Sequence, residues 1–472
     1  MRFSRRARAL GFLTQGILLM MSWTGIQQVI GQNQASPAAV AADSATTTAA
    51  PEQLTLSASM APAAAESSTE QGQTTLEDSF EWKGSEWRAR ARRHAIEETQ
   101  FKINVRSMYF DRDKYDGSES EAFALGGWAG MKTGYFFEHL AIGVTGYTSQ
   151  KLHGDEDKDG TLILGPGQSS YEVLGELYAD IRFTDSLNLY VGRKEYDTPF
   201  INKNDSRMTP NTFEAIVLQG KTELGGDGAT LNYGVGYFDA IKDRNSDEFV
   251  SMSVDAGSEA ERGVYTAGAL YKKGDFSFGA IDYFSPDIIN IAYTEAKLQV
   301  TISEELKPRF AVQYVDQRSV GDDLLLDDGT TARQFGVKAE LPVGDALFTV
   351  AYTNVSGDTA TQTPWSGYPG YTAVQVEDFN RDGESAVMFR AGYDLPWVKG
   401  LSAYALWVHG LDPDPSNQYA RDEYDFNLQW APPEGTLKGL SIRLRYAFVD
   451  ERGGTGDDLT DFRVIFNYGI SF

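Results

Sequence analysis

The chain has no cysteine and only four histidines among its 472 residues. Without cysteine there is no disulfide framework, no thiolate nucleophile and no thiolate-bound zinc or iron–sulfur centre. Long hydrophobic runs are nearly as scarce. One apolar stretch, residues 9–23, approaches fifteen residues, whereas a membrane-spanning helix needs roughly twenty. A bundle of spanning helices is therefore excluded. Positive charge is also in deficit, with 42 Lys and Arg against 67 Asp and Glu for a formal net charge of −25. Nucleic-acid binding rests on a basic face, so nucleic acid is not expected as a partner.

What is present begins with an export pattern. Arg2, Arg5, Arg6 and Arg8 precede the apolar run 9–23, and small residues follow at Ser36, Ala38, Ala39, Ala41 and Ala42. This order of basic, apolar and small residues predicts a secretory signal over 1–42, cleaved somewhere between residues 31 and 42. Residues 43–75 are rich in Ala, Ser, Thr and Pro and too poor in large apolar groups to offset their ordering entropy, so 43–99 reads as a linker ending in a basic arm. That arm carries Trp82, Trp87, Arg88, Arg90, Arg92, Arg93 and His94, and either a short amphipathic helix or a solvated tail fits it.

From residue 100 to 472 one pattern repeats: about ten residues alternating apolar with polar or small, then a turn or a longer loop. Phe462, Val464, Phe466, Tyr468, Ile470 and Phe472 alternate with Arg463, Asn467, Gly469 and Ser471, with Ile465 the exception. Tyr424, Phe426, Leu428 and Trp430 oppose Glu423, Asp425, Asn427 and Gln429 in the same way. Strand side chains alternate faces, so each segment has one greasy and one mostly polar stripe.

Such segments are expected near 101–110, 122–135, 139–150, 171–183, 187–194, 213–223, 229–240, 264–272, 275–285, 288–302, 307–317, 333–341, 345–356, 385–395, 400–410, 422–431, 438–449 and 462–472, eighteen in all. Short and long connections largely alternate, except near Pro286, where a short link stands in place of a long one. Ten residues at about 3.3 Å each, tilted roughly 40°, rise about 25 Å, the height of the apolar band of an outer-membrane barrel. Closure pairs every backbone polar group, which an open sheet in lipid cannot do. A soluble sandwich would show the same alternation with its greasy face inside. The export pattern, the aromatic content, the turn asymmetry and the terminal Phe472 favour an all-β transmembrane antiparallel barrel of eighteen strands.

If the greasy faces meet lipid, the inward set includes Lys102, Arg106, Lys297, Arg309, Lys338, Arg390, Arg443, Arg445 and Arg463, with Glu172, Glu176, Glu295, Glu340, Glu423 and Asp425 opposing them. Fixed charges in a water-filled lumen with low-dielectric walls focus the field and select ions and polar solutes. Arg390, Arg443, Arg445 and Arg463 fall in one sector of the wall, and Arg106 on the first strand extends it on closure.

Two stretches resemble the OprD family of substrate-specific outer-membrane porins. Residues 192–213, GRKEYDTPFINKNDSRMTPNTF, are similar to that family's third-loop segment, and FNRDGES at 379–385, preceded by Pro364-Trp365, to its F-N-R-x-G-E signature. MYFDRD at 108–113 resembles the family's Y-F-x-R-D. The resemblance implies an eighteen-stranded fold and a third extracellular loop folded into the lumen as a constriction. It also implies a row of lumenal arginines, the basic ladder, for which the candidates are Arg106, Arg309, Arg390, Arg443, Arg445 and Arg463. Candidates within or beside the constriction loop are Lys194, Asn202, Asn204, Asp205, Ser206 and Arg207, with Pro199 and Pro210 stiffening its ends.

The reading is a passive channel for small water-soluble solutes bearing a carboxylate, such as amino acids or small organic acids, with no cofactor. Outer-membrane lipid, lipopolysaccharide and the outer-membrane assembly machinery are its expected partners, as a monomer or a loose trimer. The rivals are a barrel enzyme of the lipase or protease type and a structural adhesin. An enzyme would need a histidine beside an activated nucleophile, and His94, His139, His153 and His409 come with no G-x-S-x-G elbow. Asp155, Asp157 and Asp159 mimic the start of a calcium loop but lack its twelfth-position glutamate, which is Pro166 here. They are weak metal candidates, and a solvated turn accounts for them.

Overall fold

The computed structural model describes residues 92–472 apart from 227, 327–328, 414–418 and 455. The expected signal over 1–42, the linker and the first part of the basic arm lie outside the described residues. Residues 92–97 of the arm are helical. Ala95 is buried there, and its carbonyl accepts from Gly134 N at 2.8 Å.

The wall is a closed antiparallel barrel of eighteen strands, each paired with its sequence neighbours. In chain order they are β1 (Gln100–Asp113), β2 (Glu119–Lys132), β3 (Leu140–His153), β4 (Tyr171–Thr184), β5 (Leu187–Lys194), β6 (Thr212–Leu224), β7 (Ala229–Lys242), β8 (Val264–Lys273), β9 (Phe276–Ser285), β10 (Ile289–Gln299), β11 (Arg309–Arg318), β12 (Thr331–Val343), β13 (Ala346–Gly357), β14 (Ser385–Asp394), β15 (Leu401–Leu411), β16 (Ala420–Trp430), β17 (Leu440–Arg452) and β18 (Leu459–Ser471). A two-residue strand, Val250–Ser251, pairs with β7 outside the wall count. Closure is the pairing of β1 with β18, which runs from Lys102 opposite Ser471 to Asp113 opposite Thr460. Every expected segment corresponds to one of these strands. The expected tenth segment ran to 302, but β10 ends at Gln299, because residues 300–308 turn the chain through bonds such as Ile302 N to Leu306 O at 3.0 Å. The second strand starts and ends three residues before its expected bounds, since β1 and β2 pair outward as far as Asp113 and Glu119.

The greasy stripe lies outside the barrel wall. On β16, Tyr424, Phe426 and Leu428 are 37, 54 and 41% exposed while Glu423, Asp425 and Asn427 are 0, 1 and 8% exposed. A soluble sandwich would show the reverse. Close strand approach fixes one glycine: a Cβ on Gly127, which sits at φ +128, would lie 1.9 Å from Asn104 O on β1.

Connections at the end that holds both barrel termini are mostly tight, while those at the other end include 154–170, 195–211, 243–263 and 358–384. The link at 286–288 is short, as expected, and lies at the long-loop end. Several long loops turn inward. Tyr196, Phe200 and Ile201 from 195–211, Met252 from 243–263 and Trp365 from 358–384 form one buried cluster with Phe213, Phe238, Tyr283 and Tyr293 of the wall. The barrel's apolar core is therefore built from loops seated inside it, and burial of those rings is what holds the loops there.

Candidate functional site

The third loop at the long-loop end, residues 195–211, leaves β5 and is held inside the barrel by the wall arginine Arg106. Arg106 Nη1 donates to Asp205 Oδ1 and to the carbonyl of Arg207, both at 2.5 Å, and Arg106 Nε donates to Asn467 at 2.6 Å. Trp128 covers the same guanidinium at 4.9 Å. Arg207 lies between the second loop and the wall, where its Nε donates to Thr161 O of the 154–170 connection at 2.8 Å and its guanidinium lies 5.0 Å from the Phe110 ring of β1. Burial, and then the guanidinium groups of Arg463, Arg244 and Arg112, push its pKa well down.

Asn202, Asn204 and Ser206 cap their own loop. Asn204 N donates to Asn202 Oδ1, Ser206 Oγ donates to Asn204 Oδ1, and Asn202 Nδ2 donates to Pro199 O and Gly367 O. Such local bonds hold a tight turn, which places Asn204 at φ 37. Lys194 ends β5 below this loop, its Nζ 4.9, 5.2 and 5.7 Å from the rings of Tyr196, Tyr190 and Tyr178.

The seventh loop, residues 358–384, is the part of the site that sequence reasoning missed. It turns into the interior and is tied to strands on both sides of its own, β16 and β18 on one side and β10 on the other. Val376 N and Glu377 N donate to the two oxygens of Glu423 at 2.8 and 2.7 Å, and Gln375 N donates to Asp425 at 3.2 Å. Gln375 Nε2 reaches Asp461 at 2.7 Å, and Tyr371 donates to Glu295 at 2.7 Å. Trp365 Nε1 donates to Met252 O at 2.9 Å, which joins this loop to residues 243–263. Burial and neighbouring Glu377, against the pull of Arg244, push the Asp378 carboxyl up to about 6.

The ladder candidates separate into two groups. Arg106 is paired with Asp205, Arg463 with Asp461 at 2.6 Å, and Arg309 with Glu340 at 3.4 Å. Arg309 begins β11 at the short-turn end, apart from the others. Arg390, Arg443 and Arg445 form no ion pair among the described residues. Arg390 stacks on Tyr404 at 4.0 Å, Arg443 Nε donates to Asn427 at 2.5 Å, and Arg445 Nε is buried with no hydrogen-bond partner. Asn427 lies opposite both Tyr404 and Arg445, and Arg445 opposite Arg463, so the row follows the hydrogen-bonding direction across β15–β18. The inward carboxylates are mostly engaged: Glu176 with Thr145, Glu295 with Tyr371 and Lys297, and Glu340 with Arg309 and Lys338.

The remaining candidates are brought to no common centre. Asp159 spends its carboxylate on Gly160 N and Gly167 N, and no group of three or more metal-ligating side chains converges among the described residues. His409 Nδ1 lies 2.7 Å from Asp422, but its Nε2 faces Arg452 at 3.3 Å and no hydroxyl nucleophile, and the ring is on the outer side of β15.

A family model described as outer membrane porin, OprD family, matches residues 94–472. Among solved structures, Pseudomonas aeruginosa OccK9 (OpdG) is 23% identical with a TM-score of 0.73, and the match covers 80% of this chain and all of that one. P. aeruginosa OpdK with vanillate is 20% identical at a TM-score of 0.69, again over 80% of this chain and all of that one. Acinetobacter baumannii OccAB3 is 20% identical at 0.70 over the same shares. No curated protein sequence matches the chain. A family match over the whole described barrel, together with the same closed eighteen-strand fold, means that this chain belongs to the OprD family of outer membrane porins.

Proposed function

We propose that this porin passes small solutes bearing a carboxylate, such as amino acids or small organic acids, between its third and seventh loops and along the arginines of β14–β18. The observation that carries this reading is the imbalance of partners. Arg390, Arg443 and Arg445 have no ion-paired carboxylate among the described residues, whereas the inward glutamates are tied to wall and loop groups. Arg445 leaves a buried Nε–H unmatched, and an unmatched buried donor costs about 1–3 kcal/mol until an acceptor arrives. A carboxylate accepting from successive guanidinium groups matches their forked geometry and exchanges one partner for the next without full rehydration. A related channel was solved with vanillate, an aromatic carboxylate, which supports this solute class.

The test is reversal potential and solute uptake in reconstituted bilayers. The double variant Arg443→Ala, Arg445→Ala is expected to lower the permeability of small carboxylates relative to potassium by about tenfold, corresponding to about 1.4 kcal/mol. Unchanged carboxylate flux in that variant would remove the arginine row from the mechanism.

A further inference from the structure

The outer face of β11 and β12 carries a pair of arginines at the long-loop end. Phe310, Val312 and Tyr314 point outward on β11, and the next two outward residues toward the long loops are Asp316 and Arg318. On β12, Phe335 is outward and Arg333 lies one pleat above it. Register places Tyr314 opposite Phe335 and Asp316 opposite Arg333.

Asp316 holds both arginines. Arg318 donates to its Oδ1 through Nε at 3.0 Å and through Nη2, and Arg333 Nε reaches its Oδ2 at 3.3 Å. One carboxylate thus fixes two guanidinium groups, and these three side chains together carry a charge of +1 on a protein of formal charge −25. The side chains of Arg318 and Arg333 are 54 and 51% exposed, and Arg318 Nη1 and both Nη atoms of Arg333 have no partner among the described residues. Two carboxylates lie nearby, Asp358, which accepts from Thr331, and Asp282, which accepts from Asn290 opposite Arg318, and neither is ion-paired with the two arginines. Elsewhere at this end the outward cations meet at least as many carboxylates or are joined by a histidine: Arg193 meets Glu214, Lys158 is outnumbered by Glu119 and Glu121, and Arg452 and His409 share Asp422.

From this we infer that Arg318 and Arg333 form a docking site for the phosphorylated glycolipid of the outer leaflet, lipid A. Three features point to that occupant. The site is on the lipid-facing side, so its ligand reaches it along the bilayer and not through the lumen. It lies just above exposed Tyr314 and Phe335 at the long-loop end, the level at which aromatic rings mark the boundary between acyl chains and headgroups. Its free donors are two planar forks, whose geometry suits phosphate oxygens better than single point charges do. Asp316 sets the spacing of the forks, and the phosphate supplies the anion that the second guanidinium lacks.

Native mass spectrometry of the full chain in mild detergent, titrated with diphosphoryl lipid A or with phosphatidylglycerol, tests the site. Wild type is expected to hold lipid A roughly tenfold more tightly than the Arg318→Gln, Arg333→Gln double variant, a difference of about 1.4 kcal/mol. Each single variant should lose part of that affinity, which keeps the test open if the double variant fails to fold. Single-channel conductance of all variants should match wild type, because neither arginine lines the lumen. Equal lipid A retention by wild type and the conducting variants would overturn the site. Phosphatidylglycerol binding as tightly as lipid A would overturn the assigned occupant.

Discussion

Arg106 shows how one side chain can leave the conducting row and become part of the frame. Its guanidinium serves Asp205, the Arg207 carbonyl and Asn467 together, under Trp128. The pair with Asp205 is largely buried, and removing one member of such a pair costs about 3–5 kcal/mol, because the other charge stays desolvated. Arg106→Ala is therefore expected to release the tip of the third loop and raise single-channel conductance while weakening solute discrimination. Planar-bilayer recording checks this, and an unchanged conductance would mean that apolar packing alone seats the loop. The alternation of faces made the inward position of Arg106 legible in the sequence, but its partner lies 99 residues away in the chain. Arg463 was more readable: Asp461 is two residues before it on the same strand and so on the same face, and that spacing alone brings the two side chains together.

The strands are legible one by one because a period of two is local, and lipid on one side with water or packed loops on the other preserves it over each segment. The seventh loop has no such period, and its anchors on Glu423, Asp425 and Asp461 are long-range contacts that no local pattern encodes. A signal was nevertheless present. A connection that carries Trp365, Tyr368, Tyr371 and Phe379 is too aromatic to lie free in water, and Trp365 and Phe379 are in fact buried. Glu423 is the latch of this element, since both of its oxygens accept loop backbone N–H groups. Glu423→Ala removes both acceptors and leaves two backbone N–H groups without partners, at a cost of about 1–3 kcal/mol each. Larger and noisier single-channel currents are expected from that variant, with the barrel's resistance to unfolding in detergent little altered. Wild-type currents would assign the seating of this loop to Trp365 and its aromatic neighbours instead.

At the scale of the molecule, every role assigned here depends on which side of the wall meets lipid. Phe426 and Asn427 are consecutive on β16, one exposed on the outer surface and one buried toward the lumen. Because the chain has no cysteine, a single thiol can be placed at either position without background. The deciding measurement is thiol accessibility in the reconstituted channel, read with a bilayer-quenched fluorophore and a membrane-impermeant reagent. A label on Phe426→Cys should be quenched by brominated acyl chains and out of reach of the impermeant reagent. On Asn427→Cys a label should escape quenching, and reaction with the impermeant reagent should reduce the current. The opposite pattern, or access from water at both positions, would contradict the account.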